Sequence, residues 1–513
     1  MRDFQPNELA SAIAASRAAL PTAIDALCTT IAEVNGVAPE RNIVEHVGRF
    51  WLLHLCDQWS NLQSDDTALA HDETTRSRVL VPQHTRLTFD SIANRAKLMR
   101  QLSGVDSMQL LNVLEHFDDR THVTTTNRRQ LFLSRIGSRG AEVAVSLPYL
   151  KISSGRELMA AIRSRRMLRW APEDFPPLRQ VPLASDQRVS VAKVFLQSSD
   201  EYRELRAVVA LMAPRDLVEH HAPLQTWARK LREHARLFYT ANAQHVSTSF
   251  MHRTAAARMS GSKLLVHQHG GGYGVDERHP GEDHDVAISD YFYTFGWRRE
   301  DHPETVLPLP AAMPERRKGR TRGILLMSLP VTNELYRLQS FCVPSHVQRA
   351  VNLTADFVGA LSDGTTLTMR HSGADRFPMN QLSGAKAAIT QDEGFGRGTI
   401  AASRASLVVH NYLGTSWLET LAMDVPTVCF YDPAYYRPRE AAQPFLDALA
   451  RVGVLHYSGL EAAKFVNALR GDPTAWWRSA EVQEAREAFV ARYANFSDNW
   501  LSAWTQEFER LLS

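Results

Sequence analysis

Short apolar runs alternate with amphipathic helical segments twice along this chain, and a proline-rich stretch separates the two blocks. This alternation is typical of parallel β-sheets with helices on both faces. Two such blocks predict two α/β domains, because a single core rarely extends over 513 residues. The predicted strands are 143–147, 207–212, 237–240 and 264–266 in the first block, and 323–329, 366–370, 407–411 and 426–431 in the second.

Composition and periodicity set the expected domain boundaries. Helical spacing in the first part of the chain predicts a helical elaboration of the first domain, with helices at 90–102 and 107–117 among others. A further helix is predicted at 156–170, with an arginine cluster near its end. The expected units are a helical elaboration (1–135), a first doubly wound domain (136–307), a linker (308–322), a second doubly wound domain (323–480) and C-terminal helices (481–513).

The overall composition excludes several classes of protein. A hydrophobic fraction of 44% with 22% charged residues is that of a globular protein, and a net charge of +2 gives no argument for nucleic acid. The four cysteines lack disulfide or zinc-site spacing. Their scattered positions predict the reduced thiols of a cytoplasmic protein. No apolar run is long enough for a membrane span, so any membrane contact is expected to be peripheral. The arginine cluster is either a solvated face or a contact surface. As a contact surface it would touch a phosphorylated acceptor or anionic lipid at the inner face of the cytoplasmic membrane.

The first motif is HQHGGGYG, which follows the predicted strand 264–266. Glycines after a strand let the backbone approach a ligand closely. The next residues form what the sequence predicts to be one short polar loop, dense in groups that hold charge or move protons. We therefore expect catalytic side chains there. The candidates are Asp276, Glu282 and Asp285, with His269 and His284 as their partners.

The second motif, at 408–433, is a buried strand that runs into small residues and then a helix. Free backbone amides at a helix N-terminus bind anions, so Gly414, Thr415 and Ser416 predict a nucleotide phosphate site next to Tyr412. Glu419 lies on the same side of the helix and has two interpretations. It binds a ribose hydroxyl pair, or it completes a capping box with Ser416 or Thr415.

Other polar groups follow strands of the second block. Ser328 ends the run 323–329, and Arg370 and His371 end the run 366–370. The carboxyl ends of parallel strands share one edge of the sheet, where ligands bind. We therefore add these three residues to the predicted nucleotide site.

HQHGGGYG and YLGTSWLETLAMDVPTVCFYDP together resemble the transferases encoded in O-antigen and surface-polysaccharide gene clusters. Those proteins are GT-B-like and are distantly similar to bacterial transferases of 3-deoxy-octulosonate (Kdo) and other nonulosonic acids. The resemblance implies two Rossmann-like domains facing a cleft, the first catalytic and the second holding a nucleotide-sugar donor. It implies transfer of a sugar, such as Kdo from a CMP-linked donor, onto a surface-polysaccharide or lipopolysaccharide acceptor. Kdo transferases carry a His-Pro pair at the end of this strand, whereas His371 of this chain is followed by Ser372. The chain therefore departs from the Kdo pattern at this position.

Glycosyl transfer needs a base for the acceptor hydroxyl or a carboxylate nucleophile, and groups that stabilise the departing phosphate. The acidic residues of the first motif would supply the base or nucleophile, with the histidines orienting it or sharing its proton. No metal ion or other cofactor is expected. The expected partners are the nucleotide-sugar donor and a glycan or lipid-linked glycan acceptor.

Two alternatives stay open from the sequence. Asp283 and Asp285 match a D-x-D pattern that binds divalent metals in other glycosyltransferases. His267 and His269, two residues apart on a strand, would ligate zinc with His284 and an acidic residue. These patterns leave a His/Asp metallohydrolase as a minority alternative. The other alternative is a sugar-nucleotide epimerase or hydrolase on the same two-domain frame.

Overall fold

The computed structural model of the chain describes residues 6–64, 77–78, 88–89, 142–148, 158, 168–170, 181, 183–231, 235–315, 323–329, 347–371, 378–382, 384–392, 398–434, 436–469 and 471–513. The strands are β1 (Ser77–Arg78), β2 (Thr88–Phe89), β3 (Val143–Ser146), β4 (Leu168–Trp170), β5 (Leu237–Thr240), β6 (Lys263–His267), β7 (Tyr291–Thr294), β8 (Val306–Pro308), β9 (Ala311–Ala312), β10 (Ile324–Ser328), β11 (Thr366–His371), β12 (Ala388–Asp392), β13 (Leu407–His410), β14 (Thr427–Phe430), β15 (Leu455–His456) and β16 (Phe496–Ser497).

The α-helices within the described residues are α1 (Pro6–Asn35), α2 (Arg41–Ser64), α3 (Ser185–Gln197), α4 (Arg203–Met212), α5 (His221–Lys230), α6 (Ala243–Val246), α7 (Thr248–Arg258), α8 (Pro280–Ile288), α9 (Val347–Gly359), α10 (Gly398–Ala402), α11 (Thr415–Ala422), α12 (Gln443–Arg451), α13 (Gly459–Ala468), α14 (Thr474–Trp477), α15 (Ala480–Tyr493) and α16 (Trp500–Leu512).

Two parallel six-stranded sheets form the body of the molecule. The first has the order β4-β3-β5-β6-β7-β8 and the second the order β12-β11-β10-β13-β14-β15. Strands such as β5 and β13 are buried along their whole length, as expected when helices cover both faces. The second order is that of a Rossmann fold, whose strand order reverses between its first and fourth strands, here β10 and β13. The predicted α/β fold with two Rossmann-like domains is confirmed.

The N-terminal helices pack on the first domain. α1 and α2 lie against each other, α1 also contacts α3 and α4, and α2 also contacts α7 and α8. Leu27 and Leu52 are fully buried in the same hydrophobic core as Val208 of α4. The predicted helical elaboration therefore shares the core of the first domain over residues 6–64.

The C-terminal helices connect the two domains again. α15 packs against α11 and α12 of the second domain. α16 instead covers the first sheet, where Trp504 and Phe508 pack with Tyr239 and Tyr293. Just before it, β16 pairs in parallel with β9. The last helix of the chain thus completes the core of the first domain.

The secondary structure differs from the prediction at several places. Residues 207–212, predicted as a strand, belong to helix α4, whose residues 207–212 are all buried. A short apolar run buried on every side does not distinguish a strand from a helix. The end of the predicted helix 156–170 is strand β4. The edge strand β12 was missed because its sequence, AITQD, is polar and largely exposed.

Some predictions fall outside the described residues. These are the helices at 90–102 and 107–117 and three arginines of the basic cluster, Arg163, Arg165 and Arg166. Among the helices that the structure does describe, none combines the length and the apolar character that crossing a membrane requires.

Candidate active site

The glycine loop of the first domain touches the glycine turn of the second. The backbone N–H of Gly271 donates a hydrogen bond to Oγ1 of Thr415, with 2.9 Å between N and O. A Cβ atom on Gly271 would lie 2.5 Å from the carbonyl carbon of Gly414, so only glycine allows this approach. A Cβ on Gly270 would lie 3.2 Å from Thr415 Oγ1. The two motifs, predicted separately, therefore lie against each other where the domains meet.

The turn before α11 is a helix N-terminus without a side-chain cap. Gly414 is the N-cap residue, and no side chain caps the helix. The capping-box interpretation of Glu419 is therefore wrong, because that motif needs Ser or Thr at the N-cap. Tyr412 covers the turn, since a Cβ on Gly414 would lie 2.0 Å from its Cε2 atom. The first amides of a helix have no partners within it, so this turn is a candidate anion site.

Polar side chains hold the ends of the strands beside that turn. Asn411 follows β13, and its Oδ1 accepts a hydrogen bond from the backbone N–H of Leu329 at 2.7 Å. Its Nδ2 donates to Oγ1 of Thr354 at 2.9 Å and lies 3.4 Å from Oγ of Ser328. Ser328 is buried. These contacts fix the carboxyl ends of β10 and β13, where the strand order reverses and a Rossmann-like sheet binds its ligand.

The other predicted nucleotide residues lie around the same edge. Arg370 pairs with Asp392 at 2.5 Å between Nη1 and Oδ2. His371 ends β11 directly opposite Ser328 in the register of the sheet. Ser416 lies in the first turn of α11, with its Oγ 3.4 Å from Nδ1 of His410. The structure therefore gathers the predicted residues of the second domain along one sheet edge, and their role in binding a nucleotide stays a prediction.

The acidic segment after the glycines is largely a helix and not the polar loop that the sequence predicts. α8 begins at Pro280, and the N-cap residue His279 accepts a hydrogen bond from the backbone N–H of Glu282, with 3.0 Å to Nδ1. Proline suits the first helical position, and the helix dipole favours Glu282 and Asp283 in the first turn. The two buried carboxylates of this helix, Glu282 and Asp285, lie in different environments.

One environment contains arginines from both domains, and Glu282 lies in it. Glu282 is 0% exposed. Its Oε1 lies 2.7 Å from Nη2 of Arg439 and 3.5 Å from Nη1 of Arg299, and its Oε2 accepts the backbone N–H of Gly274 at 2.8 Å. Burial raises the pKa of Glu282, and the two guanidinium groups oppose that rise. This carboxylate connects α8 to the second domain.

Asp276 belongs to the same connection between domains. It is buried, and its Oδ1 accepts a hydrogen bond from the hydroxyl of Tyr436 in the second domain. Its backbone carbonyl accepts a hydrogen bond from Nε of Arg439 at 2.7 Å. The neighbouring backbone is also bonded across the domains, from Glu277 to Arg437 and from Arg439 to Val275. The contacts of Asp276 therefore hold the domains together.

The other environment contains imidazole, hydroxyl and amide groups, and Asp285 lies in it. Asp285 is 0% exposed. Its Oδ1 lies 2.8 Å from Nε2 of His245 and accepts a hydrogen bond from Nε2 of Gln244 at 3.0 Å. Its Oδ2 accepts the hydroxyl proton of Tyr273 at 2.9 Å. No contact in this set involves an arginine.

Tyr273 connects Asp285 to the half-buried His269. The Tyr273 hydroxyl lies 3.4 Å from Nδ1 of His269. Because the Tyr273 hydroxyl donates its hydrogen bond to Asp285, its oxygen can accept a hydrogen bond from the N–H at Nδ1 of His269. That arrangement favours the tautomer in which Nε2 of His269 carries a lone pair. Such a nitrogen can take a proton from a hydroxyl group.

His284 faces the interior of the protein. It is 0% exposed, and its ring centroid lies 5.0 Å from that of Phe50 on α2. Neither ring nitrogen has a hydrogen-bond partner among the residues that the structure describes. Burial holds the pKa of His284 well below its usual value, so the ring is neutral.

The two metal patterns considered from the sequence do not form. His267 packs against Trp504, with its Nδ1 3.2 Å from the Tyr239 hydroxyl, whereas His269 lies beside Tyr273. The pair does not converge because β6 ends at His267, so the strand alternation is lost before His269. Asp283 pairs with Arg278 at 2.6 Å, away from Asp285. On a helix, residues two apart point in different directions.

Sequence reasoning missed His245, the closest partner of Asp285. A signal for it exists, because His245 lies five residues after the end of β5 and His269 lies two residues after the end of β6. β5 and β6 are adjacent and parallel, so groups just beyond their carboxyl ends share one edge of the sheet. The rings of His245 and His269 have centroids 5.0 Å apart. Arg439 and Tyr436 carried no such signal, since their partners depend on how the domains meet.

Several solved structures are similar to this chain at low identity. MurG of Acinetobacter baumannii has 10% identity and a TM-score of 0.37, and the match covers 72% of this chain and 99% of that one. The spinosyn rhamnosyltransferase SpnG, complexed with spinosyn aglycone, has 12% identity and a TM-score of 0.35, over 72% and 100%. The wall teichoic acid polymerase TagF has 9% identity and a TM-score of 0.34, over 81% and 95%. Scores this low carry no activity over to this chain.

No curated protein matches the chain. A family model described as "LIC12162 family transferase" matches residues 109–508, which include both Rossmann-like domains and most of the C-terminal helices. The predicted enzyme class was a glycosyltransferase, and the family model confirms its coarser part, a transferase. The chain belongs to the LIC12162 family of transferases.

Proposed function

We propose that this transferase is a glycosyltransferase, which moves a sugar from a nucleotide-sugar donor to a hydroxyl group of a glycan acceptor. The contact between Gly271 and Thr415 carries the proposal. It brings the loop that contains His269 against the turn that begins α11. A proton acceptor and an anion site on facing domains are what transfer from a phosphate-linked sugar requires.

The second domain would bind the donor at the reversal point of its sheet. The backbone amides of the Gly414–Ser416 turn and the dipole of α11 would stabilise the departing phosphate. Glu419 lies half-buried in the next turn of the helix and is not part of a capping box, which supports its role toward the ribose hydroxyl groups. Tyr412 and the strand ends at Ser328, Arg370 and His371 would line the same site.

The first domain would activate the acceptor. His269 would accept the proton of the attacking hydroxyl at Nε2, with its tautomer held by Tyr273 and Asp285. Asp276 and Glu282 would position the domains, because their carboxylates bind Tyr436 and Arg439. No metal ion takes part in the transfer step of this proposal.

The donor sugar and acceptor are proposed more specifically from the resemblance to surface-polysaccharide transferases. A CMP-linked Kdo or another nonulosonic acid is the first donor to test. The proposed acceptor is a surface-polysaccharide or lipopolysaccharide precursor, including lipid-linked forms presented at the inner face of the cytoplasmic membrane. Membership of a transferase family supports group transfer and leaves the sugar to experiment.

Thermal unfolding with CMP, CDP, UDP, GDP or dTDP, with and without EDTA, tests the donor site. One nucleotide should raise the Tm, and the size of this rise should be the same in EDTA. Glu419→Ala should abolish the rise, whereas Glu461→Ala, an exposed glutamate on α13, should leave it unchanged. A full rise in the Glu419→Ala protein would contradict the donor-site assignment.

Incubation with the matching nucleotide sugar then tests the reaction. Product that joins the sugar to the acceptor supports glycosyl transfer. Nucleotide release at the same rate without any acceptor would identify a hydrolase instead, and conversion of the donor into an isomer would identify an epimerase.

A further inference from the structure

A buried cluster of two imidazoles and one carboxylate lies behind His269. Its members are His245, His284 and Asp285, and their potential ligand atoms all lie within 4.8 Å of one another. His245 is 9% exposed and the other two are 0% exposed. Both ring nitrogens of His284 lack a hydrogen-bond partner in the described part of the chain. A buried polar group in this state has lost its hydration without compensation, so a missing partner is the simplest explanation.

We propose that His245, His284 and Asp285 bind a divalent transition-metal ion, with Zn²⁺ as the best match. Two imidazoles and one carboxylate form a three-ligand set that zinc uses, with a fourth position for water or another ligand. Imidazole nitrogens favour zinc and related ions over Mg²⁺ and Ca²⁺, which prefer oxygen ligands. The ion supplies the partner that the protein does not give to His284.

The distances suit such an ion after a small adjustment. Nε2 of His245 lies 2.8 Å from Oδ1 of Asp285. Two ligands of a tetrahedral zinc ion lie about 3.4 Å apart when each bond is roughly 2.1 Å long. The pair therefore separates by about half an ångström to admit the ion, which takes the place of the proton that His245 donates to Asp285.

Surrounding groups already hold the ligands in orientation. Gln244 donates to Oδ1 of Asp285 at 3.0 Å, and Tyr273 donates to its Oδ2 at 2.9 Å. The ring of Phe50 stacks on that of His245, with centroids 4.3 Å apart and an interplanar angle of 13°. Metal ligands are commonly oriented by outer hydrogen bonds and packing of this kind.

The charges around the cluster are compatible with a cation. The carboxylate of Asp285 supplies the negative charge that a bound cation needs. Arg49 and the rings of His46, His54 and His245 are the charged or titratable groups that act on His284. Nη1 of Arg49 lies 3.0 Å from Oε1 of Glu45, so its positive charge is partly neutralised.

This site shares His284 with the zinc set considered from the sequence, but His245 takes the place of His267 and His269, and Asp285 is the acid. The ion would connect α8, which carries His284 and Asp285, to α6, which carries His245. It is not part of the proposed transfer step, and the inference holds whatever group the enzyme transfers.

The metal content of the purified full-length chain tests the site directly. Elemental analysis should find about one zinc ion per chain after gel filtration, as expected for a buried site. Removal by a chelator should lower the Tm, and added Zn²⁺, but not Mg²⁺, should restore it. A chain without bound metal, whose Tm responds to none of Zn²⁺, Co²⁺, Ni²⁺ or Mn²⁺, would overturn the proposal.

A pair of variants excludes a general effect of losing a buried histidine. In His284→Leu, the metal-dependent rise in Tm should disappear, while the chelated protein stays at least as stable as the chelated wild type, because an unpartnered imidazole has been removed. His252→Leu also removes a buried histidine with an unpartnered Nε2, but outside the cluster, and should keep the rise. Equal metal-dependent rises in both variants would refute the site. These readouts do not depend on turnover, so they are unaffected if glycosyl transfer is wrong.

Discussion

Glu282 and Asp285 lie three residues apart on one helix, and both are completely buried, yet their surroundings differ in kind. Two arginines, one from the second domain, lie within 3.5 Å of Glu282. Histidine, glutamine and tyrosine side chains of the first domain surround Asp285. We call these the arginine side and the imidazole side of α8.

The difference shows that a cluster of acids in a sequence does not by itself locate catalysis. A carboxylate paired with guanidinium groups is held in its charged form and stabilises an interface. A carboxylate that accepts hydrogen bonds from imidazole and hydroxyl groups controls which atoms carry the protons of those groups. We therefore expect the arginine side to affect stability and the imidazole side to affect turnover.

Replacement of His269 should have the largest effect, because it removes the proposed base. In His269→Gln we expect turnover to fall by about 10²–10⁴-fold, the usual contribution of general acid–base catalysis. The side chain is half-buried, so the free energy of unfolding should change by less than about 1 kcal/mol. Steady-state kinetics and urea unfolding measure the two quantities. Wild-type turnover in this variant would show that the imidazole side takes no part in the reaction.

Replacement of Glu282 should show the opposite pattern. Glu282→Gln leaves Arg439, whose side chain is 25% exposed, without its carboxylate partner. We expect a loss of about 3 kcal/mol in the free energy of unfolding, at the low end for a broken buried pair. Glu277→Gln changes an exposed glutamate of the same segment and is the control. Equal free energies of unfolding in the Glu282→Gln and Glu277→Gln variants would show that the arginine side does not stabilise the fold.

The contact between the domains can be changed without altering any charge. In Gly271→Ala the new Cβ meets the backbone of Gly414, so the loop and turn must separate. A displacement of about 1 Å can cost 10²-fold in turnover, and we expect a loss of that order. Gly359→Ala, where a Cβ meets nothing within 4 Å, is the matched control. Equal turnover in the two variants would show that this contact does not position the site.

Buried histidines outside α8 should make the fold sensitive to acid. Burial lowers the pKa of His267 and His410 to about 3 and that of His221 to about 4, against 6.5 for an exposed ring. The unfolded chain therefore binds more protons than the folded one below pH 6.5, and stability should fall toward pH 4. The expected slope is about 1.4 kcal/mol per pH unit for each such histidine. Urea unfolding from pH 7 to pH 5 measures this slope, and a flat profile would contradict it.

Patterns local in the chain predicted most of the fold and only part of the site. The strands after which His269 and Gly414 lie were predicted because buried parallel strands are continuous apolar runs. The helix α8 was not predicted, because a histidine followed by Pro280 resembles a loop in sequence. The different surroundings of its two buried carboxylates were therefore not predicted either. Arg439 lies 157 residues from Glu282, and no local pattern relates two residues so far apart. Contacts between the domains are therefore the part of the site that local sequence patterns do not predict.

The position of α16 affects how this chain can be made. The first sheet is complete only when Trp504 and Phe508 pack against Tyr239, more than 260 residues earlier. During synthesis the first domain therefore emerges from the ribosome with one apolar face uncovered. That face stays uncovered until the whole second domain and then α16 have been synthesised. Shortening the protein at its C-terminus would therefore destabilise the domain at the opposite end of the sequence.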